Sequence, residues 1–201
     1  MRVPALLTWG AAVLSSLSAC RTDYAHLPTF STDRKLLQVV VVAPAGTNHE
    51  QRYDADKKEF VPVQLAGADH LLEFLPFPGN YGFIPSTRLP TSTTRPGNPP
   101  LAALVLAESE PAGTVMEVLP VALLLLDVNG ELEQVVVSVP ARPAQQILPH
   151  ATDWSSLRRR YPAVRQSLNL WFQNRSRPGS TRIVGWKDEQ AAAQQIKNLM
   201  D

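Results

Sequence analysis

Beyond residue 35 the chain alternates short apolar runs with proline, glycine and asparagine. Leu36 to Ala43 (LLQVVVVA) is a β-branched run of strand length that stops at Pro44 and reads as a buried strand. Arg52-Tyr53-Asp54 and Glu59 to Val63 predict two short strands around a turn. Residues 76–90 (PFPGNYGFIPSTRLP) hold too many prolines for a helix interior. Thr91 to Pro100 reads as a polar loop, and Leu101 to Leu106 as a central strand. Thr114 to Val128 is apolar but interrupted at Pro120. Asn129-Gly130 then separates Leu123–Val128 from Glu131–Val139, the strongest short signal for a hairpin.

From residue 152 the period changes. Leu157, Tyr161, Val164, Leu168, Trp171 and Phe172 recur every three or four positions, and Pro162 suits a first helical turn. Arg182 to Trp186 predicts one more strand. Asp188 is placed to cap a last helix with Ala192, Ile196 and Leu199 on one face. The sum is a mainly β (α+β) architecture, a small five-stranded, oligonucleotide-binding-fold-like barrel with two C-terminal helices packed outside.

The N-terminus follows a different logic. Arg2 precedes an apolar run, Ala5 to Leu17, too short to span a bilayer. Leu17-Ser18-Ala19-Cys20 resembles a bacterial lipobox, and Cys20 is the only cysteine in the chain. The reading is a lipoprotein signal over residues 1–19, a polar tether over 20–35 and one domain over 36–201. Cys20 is then the lipidation site, and the protein is exported and anchored to a bacterial membrane facing the periplasm or the cell surface.

Composition narrows the function. Nineteen basic residues face 18 acidic ones, a net charge of +1 that disfavours nucleic acid as a partner. A single cysteine excludes an internal disulfide and a cysteine-based zinc site. His26, His49, His70 and His150 have no metal-ligand spacing, and no Gly-x-Ser-x-Gly motif is present.

The block Phe77-Pro78-Gly79-Asn80-Tyr81-Gly82-Phe83-Ile84 resembles the signature of the soluble (family I) inorganic pyrophosphatases. Val41 to Ala45, Arg52 to Asp56, Arg95 to Pro99, the Asp127–Val137 hairpin and Val184-Gly185-Trp186 are similar to other family segments, in the family's order. The resemblance implies hydrolysis of pyrophosphate to two phosphates by several Mg²⁺ ions. These neutralise the substrate and lower the pKa of the attacking water. It implies oligomers as well.

Carried over residue by residue, the site looks stripped. The first-strand glutamate is replaced by Val42, or by Val41 in the adjacent register. The phosphate-holding lysine becomes Arg52 and the next glutamate Asp54. Two aspartates become Pro96 and Asn98, and a third falls near Leu101 to Ala103. Asp127 matches a metal aspartate, but its cross-hairpin partner falls near Leu132, flanked by Glu131 and Glu133. A basic position becomes Gln134, a Tyr-Lys pair becomes Arg175-Ser176, and the signature tyrosine persists as Tyr81. The resemblance thus leaves Arg52, Tyr81 and Arg175 as candidates for binding substrate or another anion, and Asp54 and Asp127 as candidate metal ligands. No residue stands out as catalytic. Asp127 equally suits a turn, and an aromatic such as Tyr81 in a proline-rich block more often serves packing.

Three readings follow. The first is a lipid-anchored family member with impaired hydrolysis that retains phosphate or partner binding. The second is an active hydrolase with a site rebuilt from Asp54, Glu73, Asp127, Glu131 and Glu133. The third is a structural scaffold lipoprotein. Pyrophosphate arises mainly from cytoplasmic polymerisation reactions, so export favours the first and third.

Overall fold

A computed structural model describes residues 21–91, 97–176 and 179–200. Cys20, Arg95 and Pro96 lie outside them. Ten strands run Leu37–Ala43 (β1), Gln51–Asp54 (β2), Glu59–Pro62 (β3), Gln64–Leu65 (β4), Ala68–Asp69 (β5), Asn80–Phe83 (β6), Ala102–Val105 (β7), Val115–Val128 (β8), Glu131–Pro140 (β9) and Thr181–Asp188 (β10). Five of them close a ring in the order β1, β6, β7, β9, β8 and back to β1, while β10 adds to β8 beside the ring. Only the β7–β9 pairing is parallel. β1 is buried on both faces, with Val39 and Val41 in one cluster and Val40 and Val42 in another, which is why its valines run on without polar alternation. The β2–β3 and β4–β5 pairs are separate small hairpins.

β8 serves two roles. Leu37 to Val40 of β1 pair with Val118 to Val115, whereas β10 pairs with Ala122 to Val128. Between these halves the register shifts from Pro120 to Ala122. Pro120 has no N–H for the ladder, so it makes a bulge and re-aims the strand rather than ending it. At the far end Asn129 and Gly130 have φ of 53° and 88°, the left-handed pair that a two-residue hairpin turn requires.

Alternate residues separate into two large cores and a small third one of Val40, Val42 and Phe83. Val39 and Val41, Ala103 and Val105, Met116 and Val118, and Val136 meet in one cluster, covered by Ala192 and Ile196. These two belong to the helix Glu189–Leu199, which Asp188 caps by accepting from Ala191 N–H at 2.9 Å. Leu104, Leu124, Leu126, Val135 and Val137 point the other way, under Leu157, Leu168, Trp171 and Phe172. The helical stretch expected as one unit is divided at Tyr161 into Trp154–Arg160 (α1) and Pro162–Asn174 (α2), leaving Glu189–Leu199 as α3. A residue before proline avoids the α conformation, and Tyr161 sits at φ −130°, ψ 57°.

The block around Asn80 is where sheet geometry is tightest. Asn80 is fully buried. Its Oδ1 accepts from Ala45 N–H at 3.0 Å and Glu110 N–H at 2.9 Å, and its Nδ2 donates to Glu108 O at 2.7 Å. One side chain thus joins the end of β1 to the loop after β7. A Cβ on Gly82 would stand 1.9 Å from Val40 O, and one on Gly79 2.6 Å from Val105 O. No side chain fits at either place.

Residues 21–35, polar enough to suggest a tether, fold against the barrel. Tyr24 packs on Tyr53 and Phe60 with ring centroids 5.5 and 5.2 Å apart. Thr29 Oγ1 donates to Pro85 O at 2.9 Å, and Gln38 N–H donates to Thr29 O at 2.9 Å. Two aromatic faces and a few backbone bonds suffice to dock a segment whose composition is mostly polar.

Asn80→Ala leaves three backbone groups without partners and is expected to lower unfolding stability by about 3 kcal/mol. Gly82→Ala is expected to prevent folding. Chemical denaturation followed by circular dichroism checks both; a Gly82→Ala protein as stable as the parent would refute the close approach.

Candidate functional site

A cavity of about 1120 Å³ opens beside β1, β2 and β6. Its lining brings together Val42, Arg52, Asp54, Tyr81 and Asn98, five positions singled out from the sequence, with Ala102 at the start of β7. The β2–β3 hairpin forms one wall. Tyr53 fixes that wall by stacking on Phe83 at 5.8 Å and packing on Phe60 at 5.2 Å. Burial raises its phenol pKa above the usual value, although Tyr24 N–H donates to the hydroxyl.

Asp54 is the best-placed carboxylate, yet its oxygens are already engaged. Oδ1 accepts from Lys57 N–H at 3.1 Å, and Oδ2 lies 3.6 Å from Arg52 and 3.9 Å from Lys57 Nζ. Arg52 is 60% exposed, so its charge also faces water and any entering anion. Asn98 occupies the left-handed region at φ 49° and bonds Thr91, a turn role that asparagine tolerates. Leu101 and Ala103 are fully buried in the barrel core. A carboxylate at either position would sit among apolar side chains.

Arg175 is not among the lining residues but packs on the Tyr81 ring, which is. At the end of α2 its N–H donates to Trp171 O at 2.8 Å. Its guanidinium carbon lies 5.6 Å from the Tyr81 ring, 5.6 Å from Trp171 and 5.1 Å from Phe172. Glu133 is 3.8 Å away and the Arg175 side chain is only 14% exposed. Burial works against the charge, but Tyr81, Glu133 and Glu50 outweigh it and raise the pKa. Arg175 Nε and Gln134 Oε1 are both buried with no hydrogen-bond partner among the described residues. Tyr81 itself is held between Arg175 and Phe77, the latter ring 5.6 Å away.

Asp127 is placed elsewhere. It ends β8, accepts from Gly130 N–H at 2.8 Å and pairs with Arg182 of β10. Arg182 and then the Gly130 bond hold its carboxyl below the ordinary aspartate value. Both contacts are those of a hairpin end, and Asp127 is not among the cavity's lining residues. Glu133 faces Arg175, and Glu73 is exposed, also outside the lining.

These residues do not fit a cluster of Mg²⁺ ions. Such ions need several oxygens each and a negative setting. The carboxylates of the cavity wall are Asp54, already facing Arg52 and Lys57, and Asp56, and Arg52 and Arg88 line the same wall. Among the described residues no three His, Cys, Asp or Glu side chains converge as a metal site.

Two contributors escaped the sequence. Ala25 and His26 line the cavity, brought there by the docking of Tyr24. Glu50 and His70 pair at 2.5 Å across the hairpin region. Twenty positions separate them, and no local spacing announces the pair. For the first, the one signal was Tyr24 itself, an aromatic in an otherwise polar stretch.

The family model for inorganic pyrophosphatase matches residues 39–201. The chain is similar to the inorganic pyrophosphatase of Thermus thermophilus, 29% identical over 181 residues, which is 85% of this chain and 92% of that protein. It is also similar to that of Haloferax volcanii, 26% identical over 166 residues, covering 82% and 86% respectively. The crystal structure of the inorganic pyrophosphatase from Thermus thermophilus superposes with a TM-score of 0.73 at 25% identity, covering 89% of this chain and 97% of that one.

Asp127→Asn should weaken the hairpin without affecting the cavity. Because the folded carboxyl titrates below its unfolded value of 3.8, its stabilisation is full at neutral pH and is lost as pH falls through the folded pKa. Thermal unfolding of parent and variant should therefore differ at pH 7 and converge at strongly acidic pH.

Proposed function

The chain belongs to the inorganic pyrophosphatase family, and on that premise we propose that it is a member with impaired or absent hydrolysis whose cavity still binds phosphate-type anions. The observation that carries this reading is the content of the cavity. Its lining keeps Arg52 and Tyr81, with Arg175 packed on the Tyr81 ring outside the lining, while Val42, Asn98 and buried Leu101 stand at or near positions where the resemblance expects carboxylates. Pyrophosphatases of this family typically use Mg²⁺. Without hard-cation ligands, the water that attacks pyrophosphate stays close to its bulk pKa and is a poor nucleophile at neutral pH.

Anion binding needs less. Among the described residues the buried Arg175 Nε has no hydrogen-bond partner, although Glu133 and Tyr81 favour the guanidinium charge, and an anion reaching Nε past Tyr81 would give that donor a partner. Arg52 supplies a second guanidinium at the solvent side. We further propose that the protein is exported and held at a bacterial membrane by lipid on Cys20, its apolar leader removed at residue 19. Export supports the non-hydrolytic reading, since pyrophosphate is generated mainly in the cytoplasm.

The decisive experiment is phosphate release from pyrophosphate by the purified, demonstrably folded protein, with Mg²⁺ and then Mn²⁺. No release above a buffer blank is expected. Metal-dependent release would overturn the proposal and restore the active hydrolase, with or without a role for Asp127, which Asp127→Ala would then decide. Calorimetric titration with inorganic phosphate is expected to show binding that Arg52→Ala weakens by roughly tenfold, the worth of one charge-assisted contact.

A further inference from the structure

The start of the described chain and the cavity rim share one surface. Arg21 Nη1 donates to Lys57 O at 3.1 Å and pairs with Glu59 at 2.6 Å, so the first described residue is fastened to the turn between β2 and β3. Asp23 pairs with Lys58 of the same turn at 3.0 Å. Ala25 and His26 follow and line the cavity, as do Arg52 and Asp54 of the same hairpin. Two short segments therefore make both the attachment point and the rim.

We infer that this rim is the membrane-facing surface, with the cavity opening onto the headgroup layer and taking a lipid phosphate headgroup. The inference rests on the proposed lipidation of Cys20. A diacylglycerol on its sulfur places Cys20 in the interfacial layer, which is only about 5–7 Å deep on each side of the hydrocarbon. Arg21 is one peptide further, a Cα step of about 3.8 Å. A free tether would let the domain tumble at the end of its chain. Here the next residues are docked by Tyr24 on Tyr53 and Phe60, so the β2–β3 turn is drawn to the surface with them. The cavity, at about 1120 Å³, exceeds the usual size of small-molecule clefts, about 300–1,000 Å³. It has room for a headgroup as well as its phosphate, and the exposed Arg52 guanidinium is the group that such a phosphate meets first.

Lipidation occupies the only cysteine, so a second one can be labelled selectively. The full lipidated chain is reconstituted in vesicles of phosphatidylethanolamine and phosphatidylglycerol. A fluorophore is placed at Ala55→Cys in the β2–β3 turn or at Ala163→Cys on exposed α2. Quenching by headgroup-labelled lipid is expected to be several-fold stronger at 55 than at 163, and Arg52→Ala is expected to weaken competition by soluble glycerol phosphate. Equal quenching at both sites in protein that sediments with vesicles overturns the orientation while leaving the anchor intact. Protein that stays in the supernatant as fully as Cys20→Ser overturns the anchor and the orientation with it. Strong quenching at 55 without any effect of glycerol phosphate overturns the headgroup as the cavity's occupant.

Discussion

The barrel depends on how closely three strands approach at one buried seam. β6 can lie between β1 and β7 only because Gly82 presents no atom to Val40 O and Gly79 none to Val105 O. Asn80, between them, satisfies two N–H groups and one carbonyl that the approach would otherwise strand. Widening the seam by one methyl would break the β1–β6 ladder. It would also move β1 off β8, since a closed ring passes any displacement to both neighbours. The most recognisable block in the chain is therefore an architectural device.

That separation of architecture from chemistry explains how the site could change while the fold did not. The ring is set by Gly79, Asn80 and Gly82, by the cores and by the bulge at Pro120, none of which needs a metal. The mouth positions carry little of that burden. A group of carboxylates without ions is a like-charge cluster that costs stability, a cost that Val42 at the cavity wall does not incur. Arg175 shows the opposite case. Its aliphatic and planar surfaces pack on three rings, which ties its position to the helix–sheet contact whatever it binds.

Much of the fold could be read before any coordinates. An apolar run ending at Pro44 marked β1, the apolar run Leu101–Leu106 marked β7, Asn129-Gly130 marked the central hairpin, and the change of period at residue 152 marked the helices. Local patterns could not reveal that Pro120 bends a continuous strand, because the compensating partner lies on β9. Nor could they show that Tyr161 divides a helix whose apolar period runs straight through it. The cavity group of Arg52, Asp54, Tyr81 and Asn98 followed from family resemblance, and the fold brings it together. Asp127 did not join them, since its local partners, Gly130 and Arg182, claim its oxygens. The N-terminal wall was hidden because docking depends on Tyr53 and Phe60, about thirty residues from Tyr24.

Ring closure also orders events in time. β1 is the first barrel strand to emerge from any channel or ribosome, but its partners are β6 and the beginning of β8, some forty and eighty residues later. Until then four consecutive valines, Val39 to Val42, present an unpaired apolar edge, the kind of segment that adds to a neighbouring chain. The parallel β7–β9 pair can form only after the hairpin at Asn129 has turned, so the barrel cannot shut gradually from its N-terminus. In a chain built this way the exposure of that edge lasts as long as β1 waits for β6 and β8.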